Sequence, residues 1–504
     1  MPQPTNLGDL IDRSRDLERT AVIDLRQADA ARTYSHREID RLAGGVARFL
    51  VSRGLPRGAR VAIASLNRVE YVAAYFGIMR AGLVAVPINT KLARDTLDYI
   101  ADDSEIRLAF VDGPRRGTFA ASIEQIDFDD ESPAGFGAQV PPAAFDTVTP
   151  ATGELAQVLY TSGSTGRPKG VPLSHAGQLW ALQARGVPPG AENERQIVAQ
   201  PLFHMNGLIV TKGVFLTGGA LVLLPSFEAT TYTEALAQHA VTTVMAVPTM
   251  FARVVKVLAQ RPDLDLSKLK RIGLGSAPMT HSLIQRIGQA IPSAEVGNGY
   301  GTTEAGPAVF VQPADGRPIP PLALGFAIGG CELKLVGGPS DDEGVLWMRN
   351  PAVATGYLNL PAKSAEVFRD GWYISGDVMR RDAQGFFYFV GRADDMFVCS
   401  GENIYPGEVE KLLEQHPEVQ HAFVVPLPDE DRSAVPVAFI VLAAASTTTV
   451  DELKQFTIAR GPAYQHPRRI AFRNELPWAG TNKIDRAALL REARELEAAQ
   501  AWSK

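Results

Sequence analysis

Residues 161–170 read TSGSTGRPKG. Three glycines, four hydroxyl residues and two cations fill these ten positions, with Pro168 stiffening the approach to Lys169. Consecutive backbone N–H groups in a glycine-rich turn can converge on anionic oxygens. Thr161, Ser162, Gly163, Ser164, Thr165 and Gly166 supply such a turn with extra hydroxyl donors, and Lys169 adds a point charge. The stretch suits a phosphate. It is not a Walker A loop, in which Gly and Lys are adjacent and Ser or Thr follows. Here Arg167 and Pro168 separate Gly166 from Lys169, and Gly170 comes next. A lone Gly/Ser run is commonly a linker, so its meaning depends on the flanks.

The flanks set the fold class. LAQVLY (155–160) is an apolar run before the loop, and VPLSH (171–175) follows it, with Ser174 placed to cap a helix. Upstream, RVAIASL (60–66) and LVAVPI (83–88) are strand-like, while Val69, Val72, Ala73, Phe76 and Met79 or Arg80 keep helical spacing between them. Asn67 with Glu70 predicts a capping box, and Gly82 is placed to end that helix. RLAFVD (107–112), IVAQP (197–201), ALVLLP (220–225), TTVMAVP (242–248) and RIGLGS (271–276) continue the rhythm. Strand, helix, strand in repetition means a parallel or mixed α/β sheet. Residues 113–155, rich in Pro, Gly, Ala and acids, read as surface connection with one short edge strand.

From 331 to 392 the character changes. CELKLVG, GVLWMR, GWYISGDV and GFFYFVGR are short strands parted by turns, which predicts a small β subdomain. After GRADD (391–395) come a helix near 406–416, strands HAFVVP and PVAFIVL, a helix near 450–460 and a charged helix after 485. That is a compact α+β unit of about 110 residues. The reading is an α/β protein with a large N-terminal domain of several subdomains, 1–393, and a smaller C-terminal domain, 394–504.

At 504 residues the chain exceeds what one core supports. Its net charge of −6 argues against a nucleic-acid partner. Cys331 and Cys399 are the two cysteines, too few for a disulfide framework or a zinc cluster, and they fit a reducing compartment. The start, MPQPTNLGDLIDRSRD, carries charges where a signal peptide needs an apolar run. Expected is a soluble, cytoplasmic protein without membrane insertion. The oligomeric state stays open, a homodimer among the options.

Further motifs follow the loop in order: PLFHMNG (201–207), VPTMF (247–251), GSAPM (275–279), NGYGTTEAG (298–306), GYLN (356–359), GWYISGDV (371–378), GRADDMFVCSGENIYPGEVE (391–410) and NKIDR (482–486). Together with TSGSTGRPKG they resemble the signatures of the adenylate-forming superfamily, which holds acyl-CoA ligases, firefly luciferase and peptide-synthetase adenylation domains. The resemblance spans nearly the whole chain and is closest in kind to a stand-alone aryl- or fatty-acid-CoA ligase.

The resemblance implies a reaction in two halves. A carboxylate attacks the α-phosphorus of ATP, giving acyl-adenylate and pyrophosphate; a thiol, that of CoA, then takes the acyl group and AMP leaves. The 161–170 loop becomes the pyrophosphate cradle. Glu304 is implied as ligand to Mg2+, although a lone glutamate is ordinarily an exposed one, and Thr303 reaches a phosphate oxygen. Asn298, Gly299 and Tyr300 border adenine, with Gly275, Ser276 and Ala277 opposite and Gly301 and Thr302 beside them. Asp377 accepts from the ribose hydroxyls, assisted by Arg392. Lys483 bridges the acid and the α-phosphate from a mobile C-terminal domain that turns at Asp394. His204 covers the acid site, and Met205, Asn206, Met250, Pro307 and Ala308 line its pocket.

Two departures bear on the acceptor. Arg432, Ser433 and Ala434 stand where many CoA ligases carry a Trp-Gly-Glu-like tripeptide, and Gln465 replaces a lysine in YQHP. Asn482 replaces a glycine before Lys483. CoA is the expected acceptor because no carrier domain is fused; a carrier-protein phosphopantetheine is the alternative. The acid is expected to be a monocarboxylate, aromatic or medium-chain aliphatic. A dicarboxylate of malonate type would need Arg253 to face the pocket.

Overall fold

The computed structural model describes residues 3–27, 30–161, 167–277, 279–307, 309–313, 317–399, 402–429, 432–479 and 483–503; for Asn403, Ser433, Ala463, Ala479 and Lys483 it describes the backbone alone. Ser162, Gly163, Ser164, Thr165, Gly166, Ala308 and Asn482 of the expected site therefore lie outside the described residues.

Six strands form a first sheet in the order Glu124–Asp127, Ile106–Val111, Arg60–Ala64, Val84–Pro87, Leu155–Thr161, Lys169–Ser174. Neighbours run parallel up to Leu155–Thr161, and the last pair is antiparallel. Parallel neighbours need crossovers, and helices Val69–Arg80 and Arg94–Asp103 provide them. Val84–Pro87 is buried along its whole length, as a strand covered on both faces must be. The expected edge strand in the 113–155 connection is Glu124–Asp127.

Seven strands form the second sheet: Glu295–Asn298, Arg271–Leu274, Thr243–Ala246, Arg195–Val198, Ala220–Leu223, Thr20–Asp24 and Arg32–Ser35. A shared core joins the two sheets, where helices His36–Ser52 and Val69–Arg80 pack and Phe76 meets Phe215 edge-on at 5.0 Å. Ser35 and Glu38 form a capping box at the first of these helices.

The box expected at Asn67 and Glu70 does not form. Arg68 is the N-cap, without a side-chain cap bond. The Asn67 amide instead donates to the carbonyls of Gln200 (2.9 Å) and Leu224 (3.0 Å) and accepts from Leu202 N–H (2.9 Å), stitching the two sheets together. Glu70 pairs with Arg68 at 2.8 Å. A buried amide is worth more bridging three backbone groups than capping one helix.

Antiparallel strands Glu332–Ser340, Glu343–Arg349, Trp372–Arg381, Phe368–Arg369 and Phe387–Arg392 make the β subdomain. The C-terminal unit has its own sheet of Glu402–Ile404, Phe397–Cys399, Ser433–Leu442, Val419–Asp429 and Arg469–Phe472, with a separate core around Leu413, Val424, Phe439 and Ile470. The fold is α/β with a large N-terminal and a smaller C-terminal domain. Among the described residues no helix is long and apolar enough to cross a membrane.

Candidate active site

Strands Arg271–Leu274 and Glu295–Asn298 are parallel neighbours that end together. In open α/β sheets, ligands bind beyond such carboxyl ends. Here the two chains leave the sheet in close contact: a Cβ on Gly275 would come 2.8 Å from the Gly299 carbonyl. Ser276 then adopts a left-handed φ of 65°, a conformation that costs a non-glycine residue energy and gathers at functional sites.

The segment after Asn298 turns sharply. A Cβ on Gly301 would lie 2.3 Å from Pro307, Thr302 N–H donates to Gly306 O at 2.9 Å, and Thr302 Oγ1 accepts from Ala305 N–H at 3.0 Å. Thr302 thus fixes the turn, and Thr303 lies within it. The turn sends Tyr300 and Glu304 to two different clusters.

Glu304 is only 8 % exposed, not the surface glutamate its residue type suggests. Tyr357 donates to its Oε1 at 3.0 Å, and Lys169 Nζ donates to the same tyrosine hydroxyl at 3.3 Å. Burial pushes the Glu304 carboxyl up and the Lys169 ammonium down, each partly offset by the other's charge. Both groups are held short of the solvation they want. At the start of the glycine-rich segment 161–170, the Thr161 Oγ1 atom is buried with no hydrogen-bond partner among the described residues.

Asp377 holds the second cluster. Tyr300 donates its hydroxyl to Oδ2, and Arg392 donates to Oδ1 at 3.0 Å. Arg392 also grips Asp394 through Nε and Nη2, at 2.9 and 3.1 Å. Asp377 pairs with Arg392 across strands Trp372–Arg381 and Phe387–Arg392, next to a register shift after Val378. Such bulges re-aim side chains near sites. Burial raises the Asp377 carboxyl, against the pull of Arg392. Each carboxylate oxygen keeps a second lone pair for another donor.

A cleft of about 1590 Å³ lies between the domains. Ser276, Ala277, Asn298, Gly299, Tyr300 and Thr302 line one side, Gly301, Asp377 and Arg392 border it, and Trp478, Ile484 and Arg486 approach from the small domain. Asn298 donates its side-chain amide to the Leu322 carbonyl at 2.8 Å.

Residues 12–358 match the family model for the AMP-binding enzyme, and residues 408–483 match that for the AMP-binding enzyme C-terminal domain. The chain belongs to the AMP-binding enzyme family. It is 32% identical over 484 residues to a feruloyl-CoA synthase of Amycolatopsis sp, covering 91% of this chain and 94% of that one. An indoleacetate–CoA ligase of Aromatoleum aromaticum is 30% identical, over 95% of this chain and 96% of its own. The anthranilate CoA ligase AuaEII, solved in complex with anthranoyl-AMP, superposes with a TM-score of 0.88 at 27% identity, covering 99% of each chain.

In this AMP-binding enzyme the expected acid pocket is only partly assembled from the expected residues. Met205 and Met250 are buried in the two large cores and do not line the cleft. His204 is the N-cap of helix Met205–Thr217, its ring against Phe203 with centroids 4.5 Å apart. Pro307 packs under Gly301. Asn206 Nδ2 is 3.4 Å from Ser276 Oγ, and its Oδ1 is buried without a partner among the described residues. Arg253 is exposed on helix Pro248–Gln260, lies over the ring of Trp478, 5.5 Å from its centre, and is not among the residues that line the cleft.

Among the described residues no group of three or more His, Cys, Asp or Glu could hold a metal ion by itself. That is compatible with Mg2+, which keeps waters and is usually held by one or two carboxylates plus substrate phosphates. Glu304, buried and with one hydroxyl donor, fits such a single carboxylate.

Reading by residue missed Tyr357, which links Glu304 to Lys169. Its signal was present in GYLN. The tyrosine within that motif carried no assigned role; Tyr357 is buried.

Proposed function

We propose that this enzyme activates a monocarboxylic acid with ATP to acyl-AMP and pyrophosphate, then transfers the acyl group to CoA with release of AMP. The observation that carries this reading is the Asn298–Glu304 segment. It brings Tyr300 to Asp377, the ribose acceptor to which Arg392 also donates, and Glu304 to Tyr357, whose hydroxyl also accepts from Lys169, beside the phosphate loop.

In the first half the acid's oxygen forms a bond to the α-phosphorus as the bond to the β-phosphate oxygen breaks. Such transfers depend on positioning and charge stabilisation. Lys169 and the Thr161 hydroxyl stand where the leaving pyrophosphate gathers charge. Glu304 would hold Mg2+ together with the phosphate oxygens, and the ion would neutralise them. Asp377, oriented by Tyr300 and Arg392, accepts from the ribose. Lys483 bridges the two anions that must meet. In the second half the CoA thiolate attacks the acyl carbonyl and AMP departs with the electron pair. The domain boundary falls at 393/394, with Asp394 as the pivot that withdraws Lys483 between halves. The thiol enters along the cleft wall of Glu408, Tyr464 and Gln465, where Gln465 donates to Glu408 at 3.1 Å. The enzyme works in the cytoplasm.

The acid is an aromatic or medium-chain monocarboxylate. Arg253 points to Trp478, so a second carboxylate in the pocket finds no partner there, and burying it unpaired costs several kcal/mol. The buried, unpartnered Asn206 Oδ1 suits a hydroxyl or amino donor on a ring. Comparing kcat/KM for malonate, acetate, octanoate, benzoate and a hydroxycinnamate tests this. The hydroxycinnamate or benzoate is expected to lead; malonate in first place would overturn it.

A further inference from the structure

Strands Trp478–Ala479 and Lys483–Ile484 pair antiparallel, Trp478 opposite Ile484 and Ala479 opposite Lys483. A two-stranded ribbon this short is marginal on its own. Its place must be set from outside. Trp478 is 39 % exposed, one of the more exposed large apolar residues described. The Arg253 guanidinium lies over its ring, 5.5 Å from the centroid. Arg253 belongs to helix Pro248–Gln260, which Met250, Phe251 and Val254 anchor in a core of the large domain. Pro248 and Thr249, at the start of that helix, line the cleft along with Trp478 and Ile484. A rigid helix of one domain therefore touches the strand pair of the other at the mouth of the cleft.

We propose that Arg253 is a positioning residue: by stacking on Trp478 it docks the strand pair and so holds Lys483 at the cleft during acyl-AMP formation. The proposal rests on the role given to Lys483 above. Arginine suits the task because its planar, weakly hydrated cation stacks on aromatic faces. An exposed contact of this kind shifts an equilibrium by about two- to fivefold. Such a weak contact suits a domain that must undock every turnover.

The test uses the full chain and the variants Arg253→Ala, Arg253→Lys, Trp478→Ala, Trp478→Phe and the double alanine. Three quantities are measured: acid-dependent pyrophosphate release, CoA-thioester formation from supplied acyl-AMP, and amide exchange of peptide 477–485 without substrates. Each alanine variant is expected to lower kcat for pyrophosphate release about two- to fivefold. KM for the acid and the second half should not change, and the double variant should be no worse than either single one. Trp478→Phe should restore most of the rate, Arg253→Lys part of it, and exchange should quicken in Arg253→Ala.

A raised KM with unchanged kcat in Arg253→Ala would put the guanidinium on the acid instead. Equal loss in both halves would make the contact merely structural. Unchanged exchange would remove the docking whatever the activity. If exchange quickens but the wild type releases no pyrophosphate with any acid, the docking stands and the functional reading falls.

Discussion

Glu304 is the residue on which the proposed phosphate chemistry turns. It is buried, it accepts from Tyr357, and its charge is opposed by burial and favoured by Lys169. A neutral amide keeps the shape and loses the charge. Glu304→Gln is therefore expected to lower turnover by about 10²–10³, with the deficit deepening as Mg2+ is reduced. Near-normal pyrophosphate release at limiting Mg2+ would exclude Glu304 from the metal. Removing the donor alone, by Tyr357→Phe, leaves a buried carboxylate short of a hydrogen bond and should cost about tenfold in the same assay. Lys483→Ala should abolish acyl-AMP formation and leave thioester formation from supplied acyl-AMP intact. Equal loss of both halves would instead assign Lys483 to domain docking.

At the scale of elements, the proposed pivot, Asp394, lies between strands Phe387–Arg392 and Phe397–Cys399. Arg392 holds Asp377 and Asp394 at once, so the proposed ribose acceptor and the proposed pivot share one guanidinium. Proline at 394 fixes φ and removes the two carboxylate contacts. Asp394→Pro is expected to spare pyrophosphate release and stall thioester formation; two normal half-reactions would move the pivot elsewhere. What the sequence made legible here was local. Apolar runs gave the strands on either side of the phosphate loop, and Ser174 caps helix His175–Gln183 as expected. What it hid was non-local. Asn67 looks like a cap and is a bridge between sheets, because its partners lie more than 130 positions away. Met205 and Met250 stand in recognisable motifs, yet a motif does not say which way a helix faces, and both point into cores. Arg253 meets a tryptophan of the other domain, a pairing no periodicity encodes.

At the scale of the whole molecule, the small domain buries acids where it approaches the large one. Glu414 is 8 % exposed, and burial pushes its carboxyl up to about 8, with Glu410 adding to the rise and Arg286 and Lys411 opposing it. Burial likewise holds Glu410 at about 7. Arg286, on helix His281–Ala290 of the large domain, keeps Nε and Nη2 buried without partners among the described residues. His421 lies at about 4, lowered by burial and by Arg286 and Lys256. An unfolded glutamate ionises near 4.5. Between that value and about 8, the folded chain holds a proton on Glu414 that the unfolded chain has released. Stability linked to this group falls as pH rises through that window and is level outside it. His421 works in the opposite sense: the unfolded imidazole takes a proton below 6.5 and the folded one does not, so its share is lost as pH falls from 6.5 to about 4. Glu414→Gln removes the first effect and leaves the second. The glutamine oxygen can still accept from Ala422 N–H, which the glutamate does at 3.0 Å. The variant should therefore melt above the wild type at pH 8, by a few degrees for each kcal/mol recovered, with the gap closing towards pH 5. Calorimetry of both proteins at the two pH values checks this. A variant that melts lower at pH 8 would mean that Glu414 is ionised there and paired with Arg286, and that the domains are held together by charge.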